Sequence, residues 1–175
     1  MSKSKTVGND LFLVTSSASS NLLPEGRHTV VIESISGAEV KHASLNDPTP
    51  QAKMVMREKN GKRIITDWLN LQGYKQEEDA TDEEITSGKY ETRVIGDRTY
   101  LVNPKTGCRI PDKVRREAAM GIIAGIGEAS GIAEGKSVNP QELLGREVGV
   151  VLAPNEQGNM RVKSYFKAAK ATAKV

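Results

Sequence analysis

The sequence predicts a mainly β fold: a five-stranded barrel with one helix between strands 3 and 4, and an extra hairpin inserted before that helix. Three observations predict it. Turn signals at Asn60-Gly61, at Gly96-Asp97 and near Asn155 to Asn159 each separate two runs of strand-like composition. A β-branched run, Arg27 to Ser36, precedes the first of these hairpins. One long helical pattern lies between the second hairpin and the third. The order strand, hairpin, helix, hairpin is that of an OB-fold.

The first hairpin, Gln51 to Leu71, organises the reading. Asn-Gly tolerates positive φ at both central positions and so fits a two-residue turn. That turn pairs Lys59 with Lys62, Arg57 with Ile64, Met56 with Ile65, Val55 with Thr66 and Lys53 with Trp68. Side chains alternate between faces. Met54, Met56, Ile65, Leu69 and Leu71 then form a core face. The opposite face carries Lys53, Val55, Arg57, Lys59, Lys62, Ile64, Thr66, Trp68 and Asn70, so the only tryptophan sits among cations. Such a face suits a negatively charged polymer with flat bases. The alternative is a solvated face whose Trp packs under a loop.

Composition bounds the class. At 175 residues the chain is of ordinary single-domain size. The net charge of +3 is unevenly spread: residues 1–88 carry 10 Lys+Arg against 13 Asp+Glu, and residues 89–175 carry 15 against 9. The second half is thus the more polyanion-facing. The single Cys108 leaves no intramolecular disulfide and fits a reducing cytosol. No apolar run approaches the roughly 18 residues of a membrane span. The patch Leu11 to Val14 is too short for a signal-peptide core. These features predict a cytoplasmic protein.

The remaining elements follow in order. Residues 1–21 are rich in Ser, Thr and Asn and read as a flexible arm. Gly37 to Pro50 reads as a loop. Residues 73–106 form the insertion. Its acidic run from Glu77 to Glu84 includes Thr81-Asp-Glu-Glu84, a capping box opening a short helix. Its hairpin, Lys89 to Val102, suits a type II′ turn that sets Arg93 opposite Tyr100, with Arg98 on the same face. Asp112 then caps the helix, whose apolar stripe is Val114, Ala118, Ile122, Ile126 and Ala129. Gly121, Gly125 and Gly127 in that helix either allow close approach to a sheet or end it early. Asn139-Pro140 caps a further short turn. In the last hairpin, strict alternation sets Met160, Val162 and Phe166 on one side and Arg161, Lys163, Tyr165 and Lys167 on the other. The cationic-aromatic face recurs, and the repeat outweighs the solvated-face alternative. Residues 168–175 are a basic tail.

Catalytic patterns are missing. Two histidines and one cysteine make a zinc site of the usual ligands unlikely to assemble. There is no nucleophile elbow and no Walker loop. Gly125-Ile-Gly127-Glu-Ala-Ser130 has Ser where a dinucleotide fingerprint needs its third Gly, and it lies inside the predicted helix. The acidic run lacks the converging ligands of a metal site. No cofactor and no metal are expected. A nuclease using the acidic cluster is the weakest of the alternatives.

Several stretches resemble a family of bacteriophage single-stranded-DNA-binding-like proteins. They are Leu23-Pro24-Glu25-Gly26 before the strand HTVVIESI, the hairpin ending Trp68-Leu69-Asn70-Leu71, and Pro140-Gln-Glu-Leu143-Leu144-Gly145-Arg146 leading into VGVVLAP. The resemblance spans roughly residues 22–167. It implies one OB-fold domain over those residues, with single-stranded DNA on the strand 2–3 face and a role in phage replication or recombination in the host bacterial cytoplasm. The chain ends in Lys170, Lys174 and Val175, where relatives often carry an acidic tail. The expected interface comprises Lys53, Arg57, Lys59, Lys62, Trp68, Arg93, Arg98, Tyr100, Arg161, Lys163, Tyr165 and Lys167. Phage replication or recombination proteins are candidate partners, and homo-oligomerisation stays open. The alternative is an OB-fold interaction module, a virion or replisome adaptor without DNA binding.

Overall fold

The computed structural model describes residues 22–135 and 137–169. The predicted arm of residues 1–21 and residues 170–175 of the predicted tail lie outside them. The fold is mainly β. The strands are β1 (Gly26–Val40), β2 (Thr49–Glu58), β3 (Ile64–Asn70), β4 (Glu91–Ile95), β5 (Arg98–Val102), β6 (Glu147–Pro154) and β7 (Met160–Phe166). Five of them form one antiparallel sheet in the order β3-β2-β1-β6-β7, and β4-β5 form a separate two-stranded sheet. No helix among the described residues is long and apolar enough to cross a membrane.

The chain divides into two compact units. One comprises the residues up to Ser34, Met54–Asp67 and Ile126 onward; the other comprises Ile35–Lys53 and Trp68–Gly125. In the first, the core is aliphatic: Leu23, Val30, Ile32, Met54, Met56 and Val150 are at most 1% exposed. In the second, Leu45, Leu101, Val102 and Ile123 are buried beside two polar residues, Thr49 and Arg109.

Arg109 organises the second unit. Its Nε donates to Asp47 at 3.0 Å and its NH2 to Thr49 Oγ1 at 2.8 Å. Its guanidinium lies 3.8 Å from the Tyr74 ring centroid and 5.2 Å from that of Tyr100. The two rings meet edge to face at 6.4 Å. A buried charge is tolerable only when paired and hydrogen-bonded, and this one has both partners and two π faces.

Local sequence signals act as expected at several ends. The Thr81 hydroxyl accepts from the Glu84 N–H, and the Glu84 carboxylate accepts from the Thr81 N–H, around the one-turn helix Asp82–Thr86. Asp112 accepts from the Arg115 N–H at the start of the helix Lys113–Ala129. Asn139 accepts from the Gln141 N–H ahead of the 3-10 turn Pro140–Leu143. Strand β1 runs four residues beyond the predicted end at Ser36, and the following loop is correspondingly short.

Three expectations are corrected. First, the hairpin turn is not a two-residue one. Gly61 N–H donates to Glu58 O, only Asn60 of the central pair has positive φ (64°), and Lys59 N–H donates to Thr29 O on β1 instead of pairing with Lys62. The register survives, because Glu58 N–H reaches Arg63 O and Leu71 N–H reaches Pro50 O. Second, the helix stripe is turned. Val114 and Ile122 are 74% and 55% exposed, while Ile123 and Ile126 are buried. The reason lies at the helix start: Gly73 packs so closely that a Cβ there would lie 2.3 Å from the Arg115 carbonyl carbon, and Arg115 is ion-paired to Glu78 and Asp79. That seats the line Arg115, Ala119, Ile123, Ile126. Gly121 and Gly125 face open space; only Gly127 makes a close approach, to Val138.

The third correction concerns β7. Val151 lies opposite Ser164, but Leu152 lies opposite Val162, so Lys163 is an extra residue and the register shifts. One inserted residue reverses which side the following residues face. Directly opposed residues share a side. Val162 opposite Leu152 and Tyr165 opposite Val150 therefore point to the core side, whereas Arg161 opposite Ala153 and Phe166 opposite Gly149 point outward. The predicted pairing of Tyr165 with the cationic side and of Phe166 with the apolar side is thus exchanged. The half-buried Tyr165 hydroxyl donates to Asp67, which shares a face of β3 with buried Ile65 and Leu69. β3 and β7 are the two edges of the sheet, so this bond is a side-chain link between edges.

Replacing Arg109 by Ala removes the guanidinium that bonds Asp47 and Thr49, leaving Asp47 only the backbone N–H of residue 109, and should cost about 3–5 kcal/mol in urea denaturation; a loss under 1 kcal/mol would show that the two tyrosines hold this unit without it. Tyr165→Phe should cost about 2 kcal/mol, the contribution of a hydrogen bond to a charged acceptor. Burial first, then the Asp67 carboxylate, raises the Tyr165 hydroxyl above its ordinary pKa. Its contribution is therefore complete below the unfolded value of about 10 and declines as pH rises above it. Denaturation midpoints of wild type and Tyr165→Phe should differ at neutral pH and converge at alkaline pH.

Candidate nucleic-acid interface

The β2–β3 hairpin presents two faces because its residues alternate. Met54, Met56, Ile65 and Leu69 are buried, as the register predicts, and Leu71 is half-buried. Opposite them, Lys53 and Trp68 stand across from each other. The Lys53 ammonium is 5.3 Å from the Trp68 ring centroid, and Trp68 is 41% exposed. This is a cation held over an indole with ring surface still open to solvent.

The cations nearer the turn have carboxylate partners. Arg57 donates from Nε and NH2 to the two oxygens of Glu33, at 2.9 and 3.1 Å, and from NH1 to Lys62 O at 3.1 Å. The hydrogen bonds that Arg57 donates to Glu33, then the Glu33 charge, raise the Arg57 pKa. Lys59 donates to Glu147 at 3.1 Å. The Lys62 side chain is exposed and makes no ion pair among the described residues. Together they border an open cleft of about 650 Å³, lined also by Val31, Ile32 and Gly145.

The second hairpin has the predicted register, Arg93 opposite Tyr100, with positive φ at Gly96. Its candidates point to different tasks. Arg93 bonds Glu91 at 2.8 Å and the Thr92 carbonyl at 3.0 Å. Tyr100 is half-buried within the Arg109 cluster. Arg98 is exposed.

On β7 and just after it, Arg161, Lys163 and Lys167 are exposed and make no ion pair among the described residues. Tyr165, expected beside them, is turned to the core side. In its place the bulge brings out Phe166. Its ring lies across Gly149, where an added Cβ would come within 2.3 Å of Phe166 Cε2. The Arg27 guanidinium lies 4.0 Å from the ring centroid. Neither Phe166 nor Arg27 was among the sequence candidates. The one sequence signal was a glycine inside a β-branched run, which marks close approach by a neighbour.

Three carboxylates of the acidic run are ion-paired to cations outside it. Arg115 bonds Glu78 at 2.9 Å and Asp79 at 3.1 Å, and Lys89 bonds Glu84 at 3.1 Å. Backbone N–H donors are the first cause holding Asp79 and Glu84 below the usual carboxylate range, Gln76 for one and Thr81 for the other. Among the described residues no group of three or more His, Cys, Asp or Glu side chains is placed to hold a metal ion.

The structure thus gathers Arg57, Lys59 and Lys62 around the β2–β3 turn, and sets Arg161, Lys163 and Lys167 along the end of the chain with Phe166 and Arg27. In the other unit it pairs Lys53 with Trp68 and sets Arg93 opposite Tyr100, with Arg93 bonded to Glu91 and the Tyr100 ring near Arg109. No protein-family model, no curated protein and no solved structure matches the chain.

Proposed function

We propose that the protein is a non-catalytic, sequence-tolerant single-stranded-DNA-binding protein on a five-stranded OB-fold barrel. In support of the barrel, the sheet order is β3-β2-β1-β6-β7, the long helix precedes the fourth strand of that sheet, and Tyr165 links the sheet's edges to Asp67. The observation that carries the function is Trp68, 41% exposed on the outward side of the β2–β3 hairpin with Lys53 over its ring. An open indole stacks on any base, and the lysine beside it neutralises a phosphate. The proposed setting is phage DNA replication or recombination in the host bacterial cytoplasm, with replication or recombination proteins as partners.

A second reading has a specific observation behind it. Arg57, Lys59 and Arg93 are each paired with a carboxylate, Glu33, Glu147 and Glu91, which lowers the positive potential at those positions. That favours an OB-fold interaction module, a virion or replisome adaptor without DNA affinity.

Titrating the protein with oligo-dT at two salt concentrations, while following tryptophan fluorescence, separates the two. The DNA-binding reading expects quenching, and affinity that falls as salt rises. Trp68→Ala removes the chain's single tryptophan, so its affinity is read from the anisotropy of a labelled oligo-dT; it should be weaker by about tenfold, the lower part of the range of about 1–3 kcal/mol for one stacked base. Unchanged affinity after Trp68→Ala removes Trp68 from the site. No binding at either salt concentration leaves the adaptor reading.

A further inference from the structure

We infer that Arg27 and Phe166 form a second nucleobase-stacking site, built on the outward side of β1, β6 and β7. The inference rests on the single-stranded-DNA reading and deepens it by naming a site and its ligand, one flat base of a single strand.

Three observations make the site. The first is the bulge at Lys163, which turns Phe166 out of the core side that simple alternation would give it. An apolar ring brought outward on a sheet needs a surface to lie on. Gly149, directly opposite, supplies it by having no side chain, for a Cβ there would overlap the ring. Phe166 is thereby held flat and half-buried. The second is Arg27. Its guanidinium lies 4.0 Å from the ring centroid, while the residue stays exposed and makes no ion pair among the described residues. A guanidinium seated on an aromatic ring is fixed in orientation and shows its other side to solvent. Planar, weakly hydrated and delocalised, it is a stacking platform for a base as well as a charge. Lysine, a hydrated point charge, would not serve as a platform. The third is the set of neighbours. Arg161 lies on the same outward side, opposite Ala153, and Lys163 occupies the bulge. Both are exposed, and neither is ion-paired among the described residues. A base stacked on Arg27 would leave its flanking phosphates to these two cations.

This arrangement contrasts with Arg57, whose three guanidinium nitrogens each donate, two to Glu33 and one to a carbonyl. Arg27 makes the one arginine–aromatic contact described in this unit, and it has no carboxylate partner among the described residues.

The test uses the full chain with two probes of equal length, oligo-dT and an abasic oligonucleotide with the same phosphodiester backbone. Wild type should bind oligo-dT more tightly than the abasic strand. Arg27→Lys keeps the charge and removes the plane. It should lower oligo-dT affinity by about tenfold, leave abasic affinity unchanged and leave the salt slope unchanged. Phe166→Leu, which retains apolar cover over Gly149, should do the same. Arg27 is exposed, so its substitution tests the site even if Phe166→Leu unfolds. If wild type prefers oligo-dT but Arg27→Lys binds both probes as wild type does, the second site is refuted and the single-strand reading stands. If wild type binds neither probe, or both equally, the single-strand stacking reading falls and this site with it.

Discussion

One inserted residue determines what the last strand can do. Lys163 has no partner of its own on β6, and the strand on either side of it faces opposite ways. Without the bulge, Tyr165 would stand among cations and Phe166 would lie toward the core. With it, a hydroxyl-bearing ring goes inward, where it can satisfy a carboxylate, and a purely apolar ring comes outward, where a glycine and an arginine receive it. The two consequences depend on each other. Asp67 lies on the same side of β3 as Ile65 and Leu69, and a carboxylate there needs a donor. A phenylalanine could not supply one, so the shift that brings out Phe166 is the same shift that serves Asp67.

The two compact units solve their polar problems differently. In the unit containing Arg109, the charge is buried, at 5% exposure, and surrounded by acceptors and π faces. Desolvation makes such a cluster expensive to break and gives little reason for it to move. Tyr100 belongs to that cluster, which gives its ring a structural task. The acidic run in the same unit closes on itself through two capping boxes and through Arg115 and Lys89. Asp79 and Glu84 are each held by a backbone N–H and an ion-pair partner, and Glu78 by Arg115, an arrangement that orders a short insertion.

The hairpins were legible in the sequence because their determinants are local. Asn60-Gly61 and Gly96-Asp97 each fix a reversal within a few residues, and both registers follow from them, even though Lys59 gives its amide to β1 and lengthens the first turn. Thr81, Asp112 and Asn139 act on their own helix ends, so they too could be read. The helix face could not. Val114, Ala118 and Ile122 recur at helical spacing, as do Ala119, Ile123 and Ile126, and composition alone does not choose between the two lines. The choice comes from Gly73 and from Glu78 and Asp79, more than thirty residues away in sequence. The bulge is the harder case. Its residues, Lys-Ser-Tyr-Phe, carry no turn chemistry, and alternation remains a plausible pattern until the partner strand is known. Candidate residues from β7 therefore shifted in meaning, while Lys53 and Trp68 did not.

The paired cations of the β2–β3 hairpin need not be silent toward a polyanion. Arg57 with Glu33 and Lys59 with Glu147 are partly exposed pairs, and such pairs contribute only about 0–1 kcal/mol each. A phosphate draws on a comparable attraction and adds the entropy of released counterions, which a carboxylate on the same chain does not. Exchange of partners is therefore close to balanced at these two residues, and it tips with salt. The exposed cations Arg161, Lys163 and Lys167 have no such competitor among the described residues, so their contribution to a bound strand carries no exchange cost. A polyanion meeting this unit would engage the end of β7 first and the hairpin turn only as ionic strength allows. That ordering assigns the weaker part of the surface to the residues whose sequence pattern looked most basic, and the stronger part to a strand whose outward face depends on a single bulge.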